Sequence, residues 1–190
     1  MKALTRRDFM AGSIAAGFAF ALPFSRARGA NGRINVGVVG LGGRGAGAHV
    51  PSFEKQQGVT VVALSDPDRQ RMGAAAKMIE TKYNHRTEQY VDMRDMFDRG
   101  DIDVIGNATQ NYWHGLSTIW ACQAGKHVYV EKPLSHFIWE GRQMVNAARK
   151  YGRIVQCGTQ HRSEVKFAQG IEWVRKGNLG KIKYLSLIHI

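Results

Sequence analysis

Two short strings hold the residues with chemical capacity. The first, Gly40-Leu41-Gly42-Gly43-Arg44-Gly45, spells G-x-G-x-x-G directly after a β-branched run at residues 36–39. In such a string the first glycine permits a tight turn, the second lets backbone approach a pyrophosphate, and the third lets the next helix lie close to the strand. The N–H groups that open that helix have no partner within it and favour an anion. Asp66 ends a second apolar run, 21 residues past Gly45, where a carboxylate accepts hydrogen bonds from adenosine ribose hydroxyls. Together they predict dinucleotide binding, whereas the loop alone fits a glycine-rich structural turn as well. Asp66 repels the 2′-phosphate of NADP and so favours NAD, while Arg69 and Arg71 partly offset that repulsion and leave NADP open.

The second string is Glu131-Lys132-Pro133, just past an apolar run at 127–130. A partly buried ammonium beside an alkoxide or carbonyl stabilises developing negative charge and can pass a proton while hydride moves to or from a nicotinamide. Lys132 fits that role, and it fits a surface salt bridge with Glu131 equally. Pro133 fits a turn, including one with a cis peptide bond. The two cysteines, Cys122 and Cys157, match no metal-ligand spacing and read as small buried hydrophobes.

These strings need a scaffold. From residue 33 onward short apolar runs alternate with stretches of helical period, the pattern of a parallel sheet with crossover helices. Runs at 34–39, 59–64, 101–107, 127–130 and 154–157 predict strands, and stretches at 67–83, 113–124 and 137–151 predict helices. Leu116, Ile119, Trp120 and Ala124 share one face of the second helix and, with Trp113, are expected in the core. Pro51, six residues past Gly45, denies the first helix a hydrogen bond and predicts a short or kinked one. The expected fold class is α/β, a doubly wound parallel sheet of the Rossmann type. Both strings then lie at the carboxyl edge of the strands, where such sheets bind ligands.

The composition agrees with this class. With 190 residues, 44% hydrophobic and 22% charged, the chain can bury one sizeable core and is neither disordered nor fibrous. Its net charge of +12 raises the question of a nucleic-acid partner. Residues 1–30 carry five of the basic groups and one of the acidic ones, so +8 remains on the rest. That remainder has no basic run, zinc-finger spacing or aromatic-basic string, and no nucleic acid is expected. The first residues have the layout of an export signal: the pair Arg6-Arg7, an uncharged run at 9–24 too short and too rich in small residues for a membrane span, and a small-residue end near Ala30. The string Thr5-Arg6-Arg7-Asp8-Phe9-Met10 is similar to a twin-arginine signal. It predicts passage of a folded protein through the twin-arginine translocase to the periplasm or beyond, or a membrane anchor if the signal is uncleaved.

Taken together, the strings resemble the Gfo/Idh/MocA family, of glucose-fructose oxidoreductase and inositol dehydrogenase type. The resemblance runs from about residue 34 to 184. It rests on the glycine string, Ser65-Asp66, Ala108-Thr109, Trp113-His114, the stretch from Ala124 to Pro133, and Gly158-Thr159-Gln160. It implies that Lys132 is the catalytic group beside the nicotinamide and a substrate hydroxyl. Thr109, His114, Glu131 and Gln160 would line the cofactor site with the glycine string and Asp66, and the substrate would be a sugar or polyol reacting at a carbinol carbon. His114 has a plain alternative as a helix-capping residue. Gln110 stands where many relatives have proline, so that loop is expected to sit differently. His161 and Arg162 fit a substrate-facing position or plain surface.

The resemblance also divides the chain into residues 1–30 as the signal, 31–160 as the NAD(P)-binding domain, and 161–190 as the start of a second α/β substrate domain, otherwise missing. Residues 163–178 would be its connecting helix and 181–185 the opening of its first strand. The string Leu185-Ser186-Leu187-Ile188-His189-Ile190 is similar to the translation of a sequencing-library adapter, so 185–190 are expected to be foreign. The chain would then be an incompetent fragment of a protein that forms homo-oligomers when whole. Two other functions stay open: an NAD-dependent glycosidase of the same family, and a non-catalytic dinucleotide-binding module.

Overall fold

The computed structural model describes residues 32–185; the export-signal reading at residues 1–30 lies outside them, as do residues 186–190. Six strands form one sheet: Ile34–Val39 (β1), Val59–Ser65 (β2), Glu88–Tyr90 (β3), Val104–Asn107 (β4), His127–Glu131 (β5) and Val155–Gly158 (β6). Every neighbouring pair is parallel, in the order β3-β2-β1-β4-β5-β6. The winding direction reverses between β1 and β4, which opens a crevice at their carboxyl ends.

The central strands are apolar at almost every position because both faces are covered. Val36 and Val38 of β1 join Val61, Leu64, Met72 and Ile79 on one face. Val39 points the other way, into a core with Ala63, Phe97, Ile105, Val130 and Met144. The covering helices are Val50–Glu54 (α1), Arg69–Tyr83 (α2), Met93–Phe97 (α3), Asn111–Gln123 (α4) and Ile138–Lys150 (α5), with Val165–Arg175 (α6) after the sheet. α2 starts two residues later than its pattern predicts because Asp68 caps it: Oδ1 accepts the N–H groups of Gln70 (2.9 Å) and Arg71 (3.1 Å).

The kink expected from Pro51 takes a definite form. Residues Gly45–His49 make a π turn in which the Val50 N–H reaches the Gly45 carbonyl, and α1 continues from it with Pro51 in its first turn. A proline in a first turn lacks only an N–H that would have no helical partner.

Four expectations are corrected. Strand β3 and helix α3 fall in a stretch without clear periodicity and were not foreseen. Helix α4 turns His114, Gly115, Ser117, Thr118, Ala121 and Cys122 inward, and Ile119, Trp120 and Ala124 pack half-buried against the core as expected, but Trp113 and Leu116 are exposed. The reason is closeness: the Asn107 side chain of β4 donates to Ser117 Oγ at 2.6 Å, and Gly115 lies against Glu140 of α5, so small and hydrogen-bonding residues pack where large ones do not fit. Of the cysteines, Cys122 is buried and Cys157 only partly so, and both are free thiols. Residues 181–185 form no strand. Among the described residues, no helix is long and apolar enough to cross a membrane.

Candidate functional site

The carboxyl ends of β1, β2 and β4 enclose a cleft of about 670 Å³ whose walls include Gly42, Asp66, Arg71, Thr109 and Trp113. Its floor is the glycine string. Gly40 turns the chain out of β1 at φ +81°, and a Cβ there would stand 2.6 Å from the Ala108 carbonyl oxygen. At Gly45 a Cβ would stand 1.7 Å from the Gly40 oxygen, closer than any two such atoms come. Gly42 and Gly43 face open space; the nearest atom to a Cβ on Gly42 is Arg71 Nη1 at 3.8 Å. The ends of the string are therefore closed by backbone and its middle is free for a ligand, which is the shape a diphosphate needs.

Asp66 is 7% exposed at the end of β2. Its Oδ2 accepts the Leu41 N–H at 2.6 Å and its Oδ1 the Asp68 N–H at 2.9 Å. Each oxygen keeps a further lone pair for a ribose hydroxyl. Leu41 contributes that N–H while its side chain fills the core. Two arginines of the cleft wall form exposed ion pairs: Arg71 with Asp68 at 3.2 Å and Arg94 with Asp92 at 2.5 Å. The hydrogen bonds from Arg94 bring the Asp92 carboxyl down to about 2.

The other half of the edge is built from side chains. Glu131 ends β5 and is 4% exposed. Its Oε1 accepts from Arg44 Nε at 2.6 Å and lies 2.9 Å from His49 Nε2. Its Oε2 faces the Lys132 N–H at 3.3 Å. Burial by itself would raise the Glu131 carboxyl, but the hydrogen bonds from His49 and Arg44 outweigh it and hold the group below its ordinary value. His49, also 4% exposed, is pushed below its ordinary value by burial, against the pull of Glu131. A neutral ring that donates from Nε2 leaves Nδ1 bare, and Nδ1 is buried without a hydrogen-bond partner. The rings of Phe53 and Tyr129 meet His49 edge-on, at 5.9 and 5.4 Å between centroids.

Lys132 is exposed, not partly buried as expected, and its peptide bond to Pro133 is cis. Glu131 is paired with Arg44 and His49, so the simple Glu131–Lys132 surface bridge does not form. Thr109 lines the cleft and donates its Oγ1 hydrogen to Asn107 Oδ1 at 2.7 Å. His114 is not a cap, since Gln110 precedes α4 as its N-cap residue. It does not line the cleft either. It is 1% exposed, with Nδ1 2.6 Å from the Pro133 oxygen and Nε2 3.1 Å from the Thr109 oxygen, so it ties two site loops together. Gln160, with its amide oxygen turned toward Arg44, accepts from Nη2 at 2.5 Å while its nitrogen donates to the Gly158 carbonyl. His161 and Arg162 are surface residues, and His161 pairs with Glu164.

The structure adds His49 to the residues read from sequence. Arg44 and His49 are five apart, which on an α-helix sets them about 140° from each other. The π turn, with its i→i+5 bonds, brings the two onto one side. A proline following a glycine string was the available signal, and it pointed to the bend without naming the side chains that the bend unites.

Comparison with known proteins places residues 34–159 in an oxidoreductase family with an NAD-binding Rossmann fold. A glycosyl hydrolase family 109 protein from Shewanella pealeana is 32% identical over 121 residues, 62% of this chain and 26% of that protein. The chain thus spans about a quarter of the length of the curated relatives it matches. Among solved structures, myo-inositol 2-dehydrogenase from Lactobacillus plantarum is 27% identical with a TM-score of 0.65, over 79% of this chain and 43% of the other. The scyllo-inositol dehydrogenase from Lactobacillus casei, solved with NAD(H) and scyllo-inositol, shares the fold at 24% identity and a TM-score of 0.67, again over 79% and 43%.

Proposed function

The chain belongs to the Gfo/Idh/MocA oxidoreductase family with an NAD-binding Rossmann fold, and from that premise we propose that the whole protein oxidises or reduces a carbinol carbon of a sugar or polyol, with Lys132 acting at the substrate oxygen. The observation that carries this reading is the shared edge: the glycine string, Asp66 and Lys132 follow the carboxyl ends of β1, β2 and β5, on one edge of the same parallel sheet. Bound NAD supplies the acceptor or donor of hydride. The open backbone at Gly42 and the helix N–H groups behind it hold the diphosphate, and Asp66 holds the ribose. Lys132 Nζ donates a hydrogen bond to the substrate oxygen, stabilises the alkoxide, and passes on the proton. The two inositol dehydrogenases among the structural neighbours support a polyol or sugar as the substrate class.

The test is a titration of the chain with NAD and NADP beside an Asp66→Ala variant. NAD is expected to bind in preference, and the variant to lose about tenfold or more in NAD affinity, the weight of a hydrogen bond to a charged group. A folded chain that binds neither cofactor, or that binds both equally before and after the substitution, overturns the reading. A second reading, NAD-dependent cleavage of a glycosidic bond, is supported by the curated relatives named glycosyl hydrolase family 109. It predicts release of a sugar from a glycoside by the whole protein without net NADH. The Arg6-Arg7 string supports export through the twin-arginine translocase; replacing both arginines with lysine is expected to keep the protein in the cytoplasm.

A further inference from the structure

Glu131 has an expensive environment. A carboxylate removed from water is destabilised until its partners compensate, and apolar residues of the same shape would often serve stability as well. Here the two donors to Oε1 are Arg44, within the glycine string, and His49, at the end of the π turn that continues it, and the π turn brings them onto one side. The same carboxylate faces the Lys132 N–H with its second oxygen. Arg44 also reaches Gln160 after β6 through Nη2. Its side chain is 44% exposed, and its place in the string, between Gly43 and Gly45, is where the diphosphate is expected.

We propose that Arg44 and His49 are positioning residues for Lys132, acting through Glu131, so that a diphosphate seated on the glycine string is felt at the lysine. The proposal rests on the reading of the string and Lys132 given above. Arg44 is the joint of the device. Its guanidinium is shared between the carboxylate and whatever anion occupies the turn, because Nε and Nη2 are engaged by Glu131 and Gln160 while Nη1 is bound by neither. His49 holds the other side of Oε1 and keeps the carboxylate from following Arg44. Phe53 and Tyr129 keep the His49 ring upright. Lys132 is then set by three elements, the glycine-string helix, β5 and the start of the turn after β6, and not by its own loop alone.

The test reads the lysine directly. The chain is acetylated in competition, and the rate at Lys132 is compared by mass spectrometry with that at Lys77, an exposed lysine on α2. ADP is the probe, since it carries the diphosphate and adenosine but has no nicotinamide to cover Lys132. Saturating ADP, checked by calorimetry for each variant, is expected to change the Lys132:Lys77 ratio about fivefold or more in the natural chain, the low end of coupling between two sites. The change is expected to persist in Arg44→Lys, which keeps the charge, and to fall below about twofold in Arg44→Gln and Glu131→Gln. An unchanged ratio in the natural chain overturns the proposal, as does an equal change in Arg44→Gln. If Arg44→Gln does not fold, His49→Gln replaces it with the same expectation. NAD in place of ADP separates the two levels: if NAD binds but leaves Lys132 as reactive as before, the assignment of Lys132 to the nicotinamide end fails. If NAD shields Lys132 and ADP has no effect, only the positioning role fails.

Discussion

Two carboxylates are buried at the carboxyl edge of this sheet, and they are held in opposite ways. Asp66 is held by backbone, through the N–H groups of Leu41 and Asp68. Glu131 is held by side chains, through Arg44 and His49. Backbone donors come with the turn that carries them and survive almost any substitution that spares the turn. Side-chain donors are long, separately encoded and lost one at a time. The Asp66 half of the site is therefore robust and specified by local rules, whereas the Glu131 half depends on residues more than eighty positions apart in the chain.

The sharpest way to break this contrast is at Gly45. A methyl group there must enter the space of the Gly40 carbonyl oxygen, so Gly45→Ala is expected to cost about 4 kcal/mol or more and to abolish NAD binding. A thermal melt that matches the natural chain would show that backbone does not fix the Asp66 half. Next in size is Arg44→Ala. It removes one of the donors to a buried carboxylate and is expected to cost about 1–3 kcal/mol in urea unfolding. The matching change on the other side, Arg71→Ala, removes an exposed partner of Asp68 and is expected to cost no more than about 0.5 kcal/mol. Equal losses in the two variants would remove the distinction. Asp68→Ala, which uncaps α2 but leaves its own N–H for Asp66, is expected to cost about 1 kcal/mol.

The smallest effect is on the shape of a pH curve. Burial holds His49 and His127 below the ordinary imidazole value of 6.5. As pH falls through 6.5 the unfolded chain takes up protons at these rings that the folded chain refuses, so stability declines from there downward. Glu131 has the same sign by a different route: it lies below its ordinary 4.5 when folded, so the stability it contributes above that pH is lost as the pH falls further. His49→Gln is expected to flatten the first decline and to reduce the second, because it also removes the charge-assisted partner that helps hold Glu131 below its ordinary value. Melting temperatures measured from pH 8 to pH 4 decide it; a variant curve parallel to that of the natural chain throughout would place His49 outside the titration.

Legibility from sequence follows the same division. The strands, the parallel class, the turn at Gly40 and the carboxylate at Asp66 were readable because each obeys a rule that spans a few residues: β-branched runs, glycines where a side chain has no room, an acid after the second strand. β3 and α3 were not, because three-residue and five-residue elements hold too few positions to show a period. Helix α4 misled in part. Ile119, Trp120 and Ala124 pack against the core as their spacing suggests, but Trp113 and Leu116 do not, because contact with Asn107 and Glu140 is too close for large residues there, and that closeness is a property of the packed sheet. His49 was invisible for the strongest reason. Its role exists only once a π turn has placed it beside Arg44 and the sheet has brought Glu131 beneath both.

The strand order bears on how the chain acquires its shape. No two neighbouring strands are joined by a hairpin, and the bond from the Asn35 N–H to Asp103 closes a loop of 68 residues. Gly40 packs against Ala108, on the far side of that loop. The glycine turn thus cannot reach its final form when it leaves the ribosome, and must wait until β4 has been synthesised and docked. Topologies dominated by such distant pairings fold slowly. A nascent chain stopped before β4 would carry the whole glycine string and still have no nucleotide site.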